Sequence, residues 1–218
     1  MNRIITIYFF DKKQNSVLIL LAMLSLALML LRVKITHEIY LLFLIWNLLL
    51  SFIPYFLSSK IKTTIPGTLT FYSILLTWLL FLPNAFYLIT DFIHLHHFHN
   101  LQYLFDTLLL SSFTVAGFYS GILSLFDIQF LLQMKYSAKK CRLLMGILIY
   151  LTAFGIYLGR ILRFNSWDIV RHPFTLFFTS YKSIQNVETI VFTIVLGTFI
   201  LVIYTISYSL NNKTIKSW

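Results

Sequence analysis

Charge is scarce in this chain of 218 residues, with 11% Asp, Glu, Lys and Arg against 59% hydrophobic residues. Soluble domains carry about a quarter charged residues, so a surface this poor in charge does not mostly face water. Cysteine is nearly absent too: Cys141 stands alone, which excludes an intramolecular disulfide and any CxxC metal site. Acidic residues number 7 against 17 basic ones. In a soluble protein that excess would suggest nucleic acid. Here the cations gather in short segments between apolar runs, where topology and lipid phosphates account for them. Nucleic acid is therefore not an expected partner, and the lipid bilayer is. Also lacking are an internal repeat, a low-complexity linker, and a cleavage site after the apolar N-terminus, where Asp11, Lys12 and Lys13 stand instead. The first span is expected to serve as an uncleaved anchor.

What is present is a series of long apolar runs, and a mean hydropathy of +0.83. Runs of this length cross a hydrocarbon core of about 30 Å. The expected fold class is an all-α membrane protein, a polytopic bundle of about six transmembrane helices in one integral membrane domain covering 1–218. The spans are expected at about 16–33, 39–57, 68–90, 101–126, 141–162 and 187–210, after an interfacial segment at 1–15. The aromatic segment near 174–183 is too short to span and reads as a re-entrant or interfacial helix. A seventh span is the alternative if that segment or 1–10 crosses. Arg32, Lys34, His37 and Glu38 are expected to form a polar turn between the first two spans. Asn47, deep in the second span, needs a partner helix, because an unpaired amide in lipid is costly. Pro54 and Pro83 are each expected to kink or end their helices. Gly117 and Gly121 make a GxxxG that allows close helix approach in the fourth span.

Six spans put both termini on one side. That side would hold Arg3, Lys12, Lys13, Lys60, Lys62, Lys135, Lys139, Lys140, Arg142, Lys213 and Lys216. The other would hold Arg32, Lys34, Arg160, Arg163, Arg171 and Lys182, and the loop after the third span has no Lys or Arg. The positive-inside rule then makes both termini cytoplasmic. The end of the third span, the start of the fourth and the end of the fifth would meet the extracytoplasmic face.

Polar residues concentrate at those ends. Asn84, Tyr87, Asp91 and His94 follow one another at i, i+3, i+7 and i+10, one face of a 3.6-residue helix. Asp106 stands near the start of the fourth span. Arg160 and Arg163, three apart, share a helical face if the fifth helix continues. Arginine pairs with carboxylates through a planar fork, so Asp91 and Asp106 are expected to pair with Arg160 and Arg163. One outcome is a structural clasp. The other is a pocket for an anionic headgroup or phosphate, with arginine as binder and Asp91 or His94 as catalytic base. His94, His96, His97 and His99 also suggest zinc, but no HExxH frames them, and no metal or other cofactor is assigned. Ser166 has no GxSxG turn around it, which speaks against a serine hydrolase.

With PNAFYLITDFIHL (83–95) and GRILRFNSWDI (159–169) both in view, the chain resembles domain of unknown function family 1361, predicted bacterial integral membrane proteins. The resemblance runs over nearly the whole chain and rests on PNAxYxxTDxxHL and GRxxRxNSWD. It implies Pro83, Asn84, Tyr87, Thr90, Asp91, His94, Gly159, Arg160, Arg163, Asn165, Trp167 and Asp168 as the residues that matter. It implies no activity, and His96, His97 and His99 fall outside its pattern. The binding set is therefore Asn84, Tyr87, Asp106, Arg160, Arg163, Asn165, Trp167 and Asp168, with Asp91 and His94 catalytic.

Two classes of function follow. One is a bacterial cell-membrane protein that binds or modifies an anionic lipid or lipid-linked substrate at its outer face. The other is a non-enzymatic transporter or structural partner in a cell-envelope complex.

Overall fold

The computed structural model describes residues 2–97, 101–164, 171 and 173–216, with side chains left out at 2–13, 96–97, 101 and 212–216. Seven α-helices and no strand lie among the described residues. They are α1 (Asn2–Thr36), α2 (Phe43–Thr63), α3 (Leu69–Tyr87), α4 (Leu101–Lys135), α5 (Ala138–Arg160), α6 (Pro173–Ile184) and α7 (Val187–Lys216). Among the described residues six helices are long and apolar enough to cross a membrane: the stretches Gln14–Thr36, Tyr40–Thr63, Leu69–Leu95, Gln102–Lys135, Ala138–Arg160 and Val187–Asn211. At 1.5 Å rise per residue the 12 residues of α6 cover roughly 18 Å, too short to span. Its Phe174, Phe177, Phe178 and Tyr181 fall at i, i+3, i+4 and i+7 and are all exposed, the apolar stripe of an interfacial helix.

Of the two outcomes expected at each proline, a kink or an end, the end does not occur: α2 passes through Pro54 and α3 through Pro83. The α-helix instead gives way four residues after Pro83, at Tyr87, to a 3₁₀ helix over Leu88–His97. Runs of 3₁₀ helix longer than three or four residues are uncommon, and the changeover frees carbonyls that need donors. Hydroxyls supply them. Thr90 Oγ1 donates to the Tyr87 carbonyl at 2.6 Å, and Thr114 Oγ1, from α4, donates to the Leu88 carbonyl at 3.2 Å.

Contacts divide the chain into two compact units, Met1–Tyr55 with Asn84–Leu123, and Phe56–Pro83 with Ser124–Trp218. The first has a core of Met29, Leu41, Leu44, Leu48, Leu88, Leu95, Leu109, Leu110, Phe113 and Ala116. Its closest approach uses the small residues of α4. A Cβ at Gly117 would lie 2.8 Å from the Ala85 carbonyl oxygen, and one at Gly121 would lie 2.6 Å from Phe86. The GxxxG pair thus receives the end of α3, and Ser120 Oγ on the same face donates to the Ser51 carbonyl at 3.0 Å.

The second unit is tied by polar pairs between apolar faces. Asp127 accepts from Ser58 Oγ at 2.8 Å and pairs with Lys62 Nζ at 2.7 Å. Trp78 Nε1 donates to Ser124 Oγ at 2.6 Å, and the Tyr204 hydroxyl donates to Gln129 Oε1. α5 and α7 run side by side, with Tyr150 bonded to Thr198 at 3.0 Å and the Tyr157 ring on Phe192.

Replacing Gly117 by Ala drives a methyl group against backbone, which cannot swing aside. A loss of about 1–3 kcal/mol is expected, read as a lowered melting temperature in detergent. Gly146→Ala, whose Cβ would meet nothing within 4 Å, should leave melting unchanged. Equal effects of the two would refute the close approach.

Candidate functional site

The first unit gathers its polar side chains where α1, α2, the 3₁₀ helix and α4 come together. α1 ends in a left-handed cap: His37 has φ 57, and its N–H donates to the Val33 carbonyl at 2.9 Å. One turn before the cap stands Arg32, with no exposed surface. Its Nε donates to Asp106 Oδ1 at 2.8 Å and its Nη2 to Asp106 Oδ2 at 3.3 Å, a side-on fork. The same guanidinium holds the turn after α1, donating to the Glu38 carbonyl at 3.0 Å and pairing with the Glu38 carboxylate at 3.3 Å. Asp106 is equally buried. The carboxylate expected to face Arg160 or Arg163 thus has both oxygens engaged by Arg32, a residue expected only to line a polar turn.

Asp91 is fully buried and accepts from Asn47 Nδ2 at 2.9 Å. The amide in the middle of α2 has its partner helix in the 3₁₀ segment. One 3₁₀ turn on, His94 is half-buried, with Nδ1 3.0 Å from the Tyr40 hydroxyl. The imidazole also meets the ring of Phe43 edge-on at 5.1 Å and that of Tyr40 at 6.0 Å. In a 3₁₀ helix residues i and i+3 eclipse, so Asp91 and His94 lie on one row, roughly 6 Å apart along the axis at about 2 Å per residue. Asn84 and Tyr87, both half-buried, belong to the last turn of α3. The expected four-residue stripe on one α-helical face therefore breaks after Tyr87 because the helix type changes.

The arginines belong to the second unit. Arg160 is the last residue of α5 and half-buried. Arg163 is not on the helix: it is exposed at φ 59, and the chain after it turns back so that Phe164 N–H reaches the Leu158 carbonyl at 3.0 Å. The two arginines therefore do not share a helical face. Asn165, Trp167 and Asp168 lie outside the described residues, as do the side chains of His96, His97 and His99. Among the described residues no group of three His, Cys, Asp or Glu could hold a metal ion. Sequence reasoning missed Arg32 and Tyr40 as members of this cluster. Arg32 closes an apolar run two residues before Lys34, and that place alone does not separate a buried pair from a loop cation.

Fold and composition together define a multi-pass helical membrane protein with a buried polar cluster. Residues 46–203, well over half of the chain, match the family described as Protein of unknown function (DUF1361), and the chain belongs to that family. No curated protein and no solved structure matches. The family match takes in Asn47, Asp91, His94, Asp106, Arg160 and Arg163; Arg32 and Tyr40 precede it.

Asn47→Leu removes a donor from a buried carboxylate, and a hydrogen bond to a charged group contributes about 1.5–3 kcal/mol. A fall in detergent melting temperature of corresponding size is expected. Tyr40→Phe keeps the ring contact and should cost only about 0.5–1.5 kcal/mol. A larger loss for Tyr40→Phe than for Asn47→Leu would contradict this ordering.

Proposed function

We propose that this protein binds or modifies an anionic lipid or lipid-linked substrate at the extracytoplasmic face of a bacterial cell membrane, with both termini in the cytoplasm. The observation that carries this is the pairing, on one 3₁₀ row, of a buried carboxylate with a partly open imidazole: Asp91 held by Asn47, and His94 held by Tyr40. Ten residues of 3₁₀ helix at the end of a spanning helix are a costly arrangement, and such backbone is tolerated in membranes where it is packed in protein or lines a cavity. Imidazole is the side chain suited to moving a proton near neutral pH, so His94 is assigned as the base and Asp91 as the group that sets the local charge. Asn84 and Tyr87, one turn earlier, are assigned to binding.

The anionic class of the substrate rests on the α5 terminus by itself. Arg163 is an exposed cation in a left-handed backbone conformation that costs a non-glycine residue roughly 1–2 kcal/mol. As at His37, that conformation caps a helix, here closed by the Phe164 N–H to Leu158 carbonyl bond, so the exposed guanidinium alone supports an anionic ligand. Asn165, Trp167 and Asp168 join this assignment through the GRxxRxNSWD segment alone, and Arg160 through the same segment. The orientation rests on the distribution of Lys and Arg.

A second assignment, the non-enzymatic one, draws support from a different observation. Arg32 and Asp106 have no exposed surface and grip each other at 2.8 Å, the geometry of a clasp rather than of a binding group. Asp106 then serves the scaffold and does not bind ligand.

Lipids extracted with the purified full-length protein and identified by mass spectrometry test the proposal. A discrete anionic or lipid-linked species should accompany the wild type and be lost with Arg163→Lys at a stability within about 0.5 kcal/mol of wild type, and with His94→Ala at a stability loss of at least about 0.5–1.5 kcal/mol, because that variant also gives up the bond to Tyr40. Unchanged lipid in both folded variants would leave only the scaffold role. Reporter fusions after Lys62 and Lys139 should report cytoplasm and one after His97 the outside; a cytoplasmic signal at His97 would overturn the orientation.

A further inference from the structure

The second unit carries a feature that the Asp91/His94 assignment does not use, an open groove of about 650 Å³ along α5, walled by α7 and by Ile184 at the end of α6. Its floor on α5 runs from Arg142 through Gly146 and Tyr150 to Phe154. Those 12 intervals measure roughly 18 Å at 1.5 Å each, comparable with the hydrocarbon depth of one leaflet, half of about 30 Å. The walls are apolar even where the residues are not. Thr189 and Thr193 line the groove, but their hydroxyl oxygens are buried and find no hydrogen-bond partner, so neither offers a polar group to the opening. The Tyr150 hydroxyl is engaged by Thr198. Gly146 leaves open space where any larger residue would project.

Charge appears at one end only. Arg142 closes the groove near the start of α5, and Lys139, three residues earlier on the same helical face, is exposed beside it. The neighbouring Lys140 lies over the Tyr136 ring, 4.5 Å from its centroid. We propose that this groove holds one acyl chain of an anionic phospholipid, whose headgroup phosphate is bound by Arg142 and Lys139. Apolar length matched to one leaflet together with two cations at the headgroup end fits a lipid. A second copy of the chain or a partner helix would have no use for the cations.

The test uses full-length protein and phosphatidylglycerol carrying a photoreactive group in its acyl chain. Crosslinks should map to α5 between 143 and 154 and to α7 between 190 and 194. Unlabelled phosphatidylglycerol should compete about fivefold better than phosphatidylcholine with the same chains, the effect of one basic residue near a headgroup. Arg142→Gln combined with Lys139→Gln should abolish that preference and keep the crosslinks. Gly146→Phe should fill the groove and remove them. The wild-type map and competition decide the matter even if Gly146→Phe does not fold. Crosslinks elsewhere, equal competition by the two lipids, unaltered labelling of a folded Gly146→Phe protein, or a dimer crosslinked through α5 would each overturn the proposal. His94→Ala should leave this labelling unchanged, which separates the groove from the site on the first unit.

Discussion

A guanidinium with no exposed surface is the costliest side chain in the first unit, and its position dictates much of what surrounds it. A charge within a membrane helix needs a partner, so Arg32, one turn from the end of α1 and without exposed surface, is tolerable only with its hydrogen bonds satisfied. It spends them in two directions. Two go to Asp106 on α4, and two to Glu38 in the turn that follows α1. Because both carboxylate oxygens of Asp106 are taken, the depth of α4 against the end of α1 is set by the fork. Because the Glu38 carbonyl is taken, the chain must leave α1 sharply, which the left-handed His37 accomplishes.

That sharp exit brings the start of α2 into place. Tyr40 and Phe43 then stand where their rings meet His94, and Asn47, one further turn down, reaches Asp91. The 3₁₀ helix does the complementary work. Its threefold repeat lines up Asp91 and His94, which a continued α-helix would have rotated about 60° apart over three residues of 100° each. The hydroxyls of Thr90 and Thr114 make the changeover affordable by taking the carbonyls it releases.

Much of this architecture could be read from the residues. Apolar runs long enough to span revealed six helices, the brevity of 173–184 set α6 apart, and the GxxxG of Gly117 and Gly121 announced a close approach. The need of Asn47 for a partner was legible from burial cost alone. What could not be read were choices that depend on distant residues. Arg32 and Asp106 are 74 positions apart, and nothing local to Arg32 distinguishes a clasp from a loop cation. A 3.6-residue period over Asn84, Tyr87, Asp91 and His94 was a natural reading, because no local signal marks where an α-helix tightens. Arg163 looked helical for the same reason; spacing of three does not reveal a left-handed residue that ends the helix.

A buried Arg32–Asp106 ion pair holds the first unit together. A double-mutant cycle in detergent addresses it directly. Arg32→Leu and Asp106→Leu alone should each lose about 3–5 kcal/mol, since each strands a buried charge, and the double variant should recover most of that loss. Losses that simply add in the double variant would contradict the claim.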